Sequence, residues 1–295
     1  MEEPHWNLKV LQGLQVIKNN DKQIWPDKWS DYTCVMGVLN ITPDSFSDGG
    51  NYFSVTSAIE RASILVNEGA DVIDIGCQST RPGAQMIGPD VELKRLIPVL
   101  RSIRNNYPNL IISIDTFHSK VAEKALKIGA NWINDTSCGR YDENILDVVA
   151  NYNCPYILMH SRGDSQSMDL LNTYNNVTSD VINELLIYTD KAISKGISKS
   201  NIIWDPGIGF AKDTHQNLKL LKDLELISEE GFPLLVGPSR KRFIGEVLNE
   251  PNVNNRLIGT VAVACRCVQA KVSLIRVHDV KEISQAIVMS SSLYN

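Results

Sequence analysis

The sequence predicts an α/β protein built as one (β/α)8 barrel, a TIM barrel, with a short N-terminal extension. Three observations carry this reading. From Cys34 onward, short apolar runs alternate with longer amphipathic stretches. The apolar runs are nearly continuous, which suits strands buried on both faces of a parallel sheet. Eight such runs occur, and their starts recur about every 34 residues, close to the length of a βαβ unit. An open doubly wound sheet is the alternative that the same alternation allows.

In chain order the predicted strands are 34–40 (CVMGVLN), 71–76 (DVIDIG), 110–115 (LIISID), 132–137 (WINDTS), 155–160 (PYILMH), 201–206 (NIIWDP), 233–239 (PLLVGPS) and 273–279 (SLIRVHD). Predicted helices between them include 56–68, 91–104, 119–128 and 254–269. The first of these sets Ala58, Ala62 and Leu65 at three- and four-residue spacing, an apolar stripe that packs on a sheet. Residues 1–33 hold three of the five tryptophans with little periodicity, and read as an extension packing on the barrel bottom. Residues 34–295 then form a single barrel domain without linker or low-complexity segment.

Composition narrows the function classes. The 295 residues carry a net charge of −5, which argues against a nucleic-acid partner, since such proteins carry a strongly basic face. No apolar run reaches the roughly 18 residues of a membrane span, so no membrane partner is expected. The start, MEEPHWNLKV, has acids where a signal peptide has bases. The six cysteines form no C-x-x-C pair, and most lie in apolar runs as small hydrophobes in a reducing compartment. The expected location is the cytoplasm, or the plastid stroma if the chain is organelle-encoded.

Chemistry in such a barrel sits at the C-terminal strand ends. Here these ends read Asn40, Asp74 with Gln78, Asp115, Asn134 with Asp135, His160, Asp205, Ser239 to Lys241, and Arg276 with His278. Singly, any of them would serve as a helix cap, and Asp74, Asp135 and His160 suit structural hydrogen bonding. Together they converge on one mouth. Asp115, Asn134 and Asp205 suit the edge of a flat heterocycle, because a carboxylate accepts two parallel hydrogen bonds from an amino-pyrimidinone as it does from a guanidinium. Arg81, Lys241, Arg276 and His278 suit an anion, with phosphate the common case in barrels. Two long Gly/Pro-rich loops, NITPDSFSDGGNYF and QSTRPGAQMIG, follow strands one and two and read as lids. A Schiff-base lysine in strand six, a G-x-G-x-x-G turn and a P-loop are all missing from the sequence.

These segments resemble the dihydropteroate synthases, folate-pathway enzymes that sulfonamide drugs inhibit. The matching runs are MGVLNITPDSFSDGG (36–50), DIGCQSTRPGA (74–84), SIDT (113–116), INDTS (133–137), MHSRG (159–163), DPGIGFAK (205–212), GPSRKRFIG (237–245) and RVHDV (276–280). The resemblance implies a (β/α)8 barrel that joins 4-aminobenzoate to 6-hydroxymethyl-7,8-dihydropterin pyrophosphate, giving 7,8-dihydropteroate and pyrophosphate. It implies a pterin pocket of Asp115, Asn134, Met159, Asp205 and Lys241, with Arg276 over the ring. Asn40 would touch Mg²⁺ on the pyrophosphate, and Thr80, Arg81, Arg276 and His278 would hold the two phosphates. Phe46, Pro82, Phe210 and Ser239 would frame the aminobenzoate. Asp44 would lie near the reacting methylene, as a catalytic residue alongside Arg81, Arg276 and His278.

A homodimer is also implied. The sequence departs from the family pattern at Cys77-Gln78, where Gly-Glu is usual, at Thr136, and at Phe117-His118. None of these removes an assigned residue. The electron-rich dihydropterin ring can stabilise a positive methylene if pyrophosphate leaves first, so an SN1-like displacement needs no strong protein nucleophile. The rivals are a pterin-dependent methyltransferase, which has no need of the F-S-D-G-G, S-T-R-P and S-R-K segments, and a non-catalytic pterin-binding paralogue.

Overall fold

A computed structural model describes residues 24–27, 29, 31–42, 55–79 and 84–294. The apolar runs are strands: β1 (Cys34–Asn40), β2 (Val72–Gly76), β3 (Ile111–Asp115), β4 (Trp132–Asp135), β5 (Tyr156–Met159), β6 (Ile202–Asp205), β7 (Leu235–Val236) and β8 (Leu274–Val277). All pair in parallel, in the order β6-β5-β4-β3-β2-β1-β8-β7. A single parallel bridge between Trp204 and Leu234 joins the two ends of this sheet, with Trp204 N donating to Pro233 O at 2.9 Å. The barrel predicted from strand spacing is therefore present, and the open-sheet alternative is excluded.

Helices α1 (Val55–Asn67), α2 (Pro89–Asn106), α3 (Ser119–Ile128), α4 (Asn144–Tyr152) and α5 (Val177–Ser194) follow the first five strands. The connection after β6 is divided into α6 (Thr214–Lys222) and α7 (Leu224–Ser228), and that after β7 into α8 (Arg242–Leu248) and α9 (Leu257–Gln269). The last helix is α10 (Val280–Tyr294). Ala58, Ala62 and Leu65 of α1 are fully buried, as their spacing predicts. Two elements differ from expectation. β7 keeps two residues where the apolar run suggests seven, because Pro233 and Pro238 flank it and neither can donate to the ladder. The helix expected from 254 begins at Leu257, since Asn254 and Asn255 lie in a 3₁₀ turn, Val253–Arg256.

Period-two alternation along the strands sorts side chains between two cores. Outward residues such as Ile73, Ile75, Ile112 and Leu158 join the helices in the larger one. Inward residues near the strand starts form a small apolar plug that includes Met36, Val72, Ile111, Trp132 and Leu274. Trp25 and Trp29 lie against it, their ring centroids 5.3 and 5.5 Å from that of Trp132. The Trp132 indole N–H donates to Ile24 O at 2.6 Å. The same alternation carried toward the strand ends turns polar residues inward, so the barrel is dry at one end and charged at the other.

Candidate active site

Strand register builds the polar layer. Asn40 pairs with Gly76, Gly76 with Asp115, and Asp115 with Asn134, so four neighbouring strands reach the mouth at one level. On the far side Met159 is level with Asp205. The centre of the layer is Arg276. Its Nε donates to Asp74 Oδ2 at 2.7 Å and its Nη2 to Asp115 Oδ2 at 2.8 Å. Asn134 Nδ2 donates to the same Asp74 oxygen at 3.1 Å. One cation on β8 thus fixes carboxylates on β2 and β3, and one of these carboxylates orients the amide on β4. Asp74 Oδ1 is buried with no hydrogen-bond partner among the described residues.

Burial drives the electrostatics here. It pushes the Asp115 carboxyl above the usual carboxylate range, with Arg276 pulling it back. Burial also works against the Arg276 charge, but Asp74 and Asp115 outweigh it and hold the guanidinium above its ordinary value. Asp205 is raised by burial as well, and is opposed by Lys241 and by the Gly207 N–H that reaches Asp205 Oδ1 at 2.8 Å. Burial pulls Lys241 down to about 8. Its ammonium donates to Ile208 O and stands 4.4 Å from the centre of the Phe210 ring.

The turn after β6 depends on glycine. At Gly207 φ is +67°, and a Cβ would lie 1.8 Å from His160 O, so backbone approaches backbone where no side chain fits. A Cβ on Gly76 would meet Asn40 Oδ1 at 3.4 Å and Asp115 Oδ2 at 3.6 Å, ordinary contact distances that place both oxygens beside this strand end. On the remaining edge, Ser239 Oγ lies 2.9 Å from His278 Nδ1 and accepts from His278 N at 3.2 Å. His278 O accepts from Arg61 at 2.7 Å, tying this edge to α1.

Of the residues expected in the site, Asn40, Asp115, Asn134, Met159, Asp205, Arg276 and His278 lie at or next to C-terminal strand ends, and Phe210, Ser239 and Lys241 lie in the loops that follow β6 and β7. Asp44, Phe46, Thr80, Arg81 and Pro82 fall outside the described residues. Asp135 and His160 are structural, as read from sequence: Asp135 accepts from Ser137 N, Gly139 N and the Tyr156 hydroxyl, each at 2.7 Å. Asp74 is also structural, but within the site itself, where it organises Arg276 and Asn134. Its two-residue offset from Gly76 was the available signal, since it places Asp74 one inward step below the mouth.

Buried Asp and Asn beside a cationic set, at the mouth of a barrel, define a polar site with both acceptors and cations. The chain belongs to the pterin binding enzyme family, whose model matches residues 36–278. The particular relatives are dihydropteroate synthases. One from Synechocystis sp. is 44% identical, the match covering 90% of this chain and 92% of that protein. One from Bacillus subtilis is 42% identical over 97% of this chain and 96% of that protein. The Xanthomonas albilineans dihydropteroate synthase solved with 4-aminobenzoic acid superposes with a TM-score of 0.84 at 39% identity, covering 89% of this chain and 93% of that one.

Proposed function

We propose that this chain performs the dihydropteroate synthase reaction of folate biosynthesis, condensing 4-aminobenzoate with 6-hydroxymethyl-7,8-dihydropterin pyrophosphate. The observation that carries the reading is the convergence of Asp115, Asn134 and Asp205 on one mouth with Arg276 and Lys241. The carboxylates and amide hold the pterin edge, and Met159 supplies an apolar contact. Arg276 and His278, with Thr80 and Arg81 of the second loop, hold the pyrophosphate. Phe210 and Ser239, with Phe46 and Pro82, frame the aminobenzoate.

The protein offers charge and position, which are the requirements of an SN1-like departure of pyrophosphate. Arg276 is already fixed by two carboxylates, so it faces the leaving group without reorganising. The carboxylates around it, together with Asp44, favour positive charge at the methylene. The amine of 4-aminobenzoate, placed by Ser239 and Phe210, then closes the bond and loses its proton to solvent.

Mg²⁺ fits the residues present. Asn40 offers a hard amide oxygen at the mouth, and among the described residues no group of three or more His, Cys, Asp or Glu could hold an ion by itself. Asn40, together with the substrate phosphates, would hold such an ion. When bound, it neutralises charge on the departing pyrophosphate.

Among the described residues no helix is long and apolar enough to cross a membrane. Exposed Ile258 at the start of α9 and exposed Met289 and Leu293, one turn apart on α10, would serve a homodimer. The test of function is pyrophosphate release that depends on 4-aminobenzoate. Release without it, or none with both substrates and Mg²⁺, would refute the reading, and methyl transfer from a methylated folate would replace it.

A further inference from the structure

Beneath the turn that carries Asp205 lies a cation that substrate contact does not explain. Lys212 is 2% exposed. Its Nζ donates to Gly207 O at 3.1 Å and to Phe210 O at 2.9 Å, and lies 2.9 Å from His160 Nδ1. Three N–H groups thus meet three acceptors. The ring can accept at Nδ1 only if its proton is on Nε2, and Nε2 lies 3.0 Å from Glu184 Oε2. Glu184 is in turn held by Arg162 through Oε1. The chain of contacts runs from α5 through the end of β5 to the turn after β6.

That turn supplies two parts of the pterin pocket, Asp205 with its Gly207 N–H and the Ile208 carbonyl that receives Lys241. We infer that Lys212 is a positioning residue for the pterin pocket, clamping the 205–211 turn, and that His160 and Glu184 set its place by holding one imidazole tautomer. Burial keeps the ring neutral, lowering His160 to about 3, with the Lys212 charge adding to the effect. Burial also pulls Lys212 down to about 7, opposed by Asp205; three acceptors further favour its charged form. His160 stands at a strand end where a barrel often places a catalytic base, but both of its ring nitrogens are engaged below the mouth. Lys212 itself is committed to two backbone carbonyls. Neither is free to touch substrate.

The inference rests on the function proposed above, and its test separates the two. Binding of 6-hydroxymethylpterin is measured by calorimetry for the wild type, Lys212→Met, His160→Gln and His160→Leu, alongside turnover. Lys212→Met should weaken pterin binding at least about tenfold, the worth of one net hydrogen bond. It should raise KM for the pterin substrate more than it lowers kcat. His160→Gln keeps an acceptor for Lys212 and a donor for Glu184, and should bind within about twofold of wild type, whereas His160→Leu should resemble Lys212→Met. A merely structural role would lower Tm in both damaged variants and leave pterin affinity of the folded protein unmoved. If Lys212→Met does not fold, the two His160 variants and the tautomer decide: ¹⁵N NMR of wild-type His160 should show the proton on Nε2. A proton on Nδ1, unchanged affinity in folded Lys212→Met, or equal damage from Gln and Leu would each overturn the inference. A wild type that binds no pterin would remove the functional reading, and this one with it.

Discussion

Arg276→Met is the substitution in which stability and function are lost together. The guanidinium serves two carboxylates at 2.7 and 2.8 Å, and the side chains of Asp74 and Asp115 are 0% and 11% exposed. Removing one partner of a buried pair costs about 3–5 kcal/mol, because an uncompensated charge stays behind. Here two stay behind, although a proton taken up by one carboxyl relieves part of the repulsion, so a loss of about 4–5 kcal/mol is expected. Against a total stability of about 5–15 kcal/mol this is a large fraction of what holds the fold.

The pH dependence has a definite sign. Burial already raises Asp115, and removing Arg276 removes the group that lowers it. A carboxyl with a raised folded pKa penalises the fold most above that pKa, and the penalty fades as pH falls through it toward the ordinary value of about 3.9. Asp115 lies at about 7 in the wild type, so both proteins gain stability as pH falls, and the gap between them should narrow by less than about 1 kcal/mol between pH 7.5 and 5.5. Urea denaturation at both pH values measures it. A gap under about 1 kcal/mol at pH 7.5, or one that does not change with pH, would refute the account of the Asp74–Arg276–Asp115 centre.

Asp205→Ala should weaken pterin binding at least tenfold by calorimetry while the fold survives, since each charge-assisted hydrogen bond lost is worth about 1.5–3 kcal/mol. Gly207→Ala must push the turn off His160 O, and should cost more than about 2 kcal/mol in denaturation with loss of pterin affinity. His160, lowered to about 3 from 6.5, should show no titration by NMR between pH 8 and pH 5. Its contribution to stability is complete above pH 6.5 and is lost as pH falls toward 3, at about 1.4 kcal/mol per unit. Chelating Mg²⁺ should abolish pyrophosphate release yet leave binding of 6-hydroxymethylpterin, which lacks the phosphates, within about twofold.

The barrel was legible in the sequence because buried parallel strands need continuous apolar runs, and β1 matches its run residue for residue. The inward placement of Asn40, Asp115, Asn134 and Asp205 was legible for the same reason, through strand ends and period two. Other contacts were not. Asn134 reaches Asp74 across 60 residues and Arg276 reaches it across 202, distances set by barrel closure and rotamers, which leave no local pattern. Lys212 was hidden differently. It directly precedes Asp213, the N-cap of α6, where a lysine reads as a solvated loop residue, and only the fold reveals that it is buried.

The reach of Arg276 also bears on synthesis. Chains emerge from the N-terminus, at about 5–20 residues per second, and Asp115 precedes its counter-ion by 161 residues. At that pace the two carboxylates wait roughly 10–30 s for the eighth strand. A nascent half-barrel cannot bury them dry in that interval, because unpaired buried charge costs more than the surrounding apolar layer returns. Until then the cheaper course for the emerging chain is to keep these carboxylates hydrated or protonated, and one arginine near the end supplies the charge that lets them be buried as carboxylates.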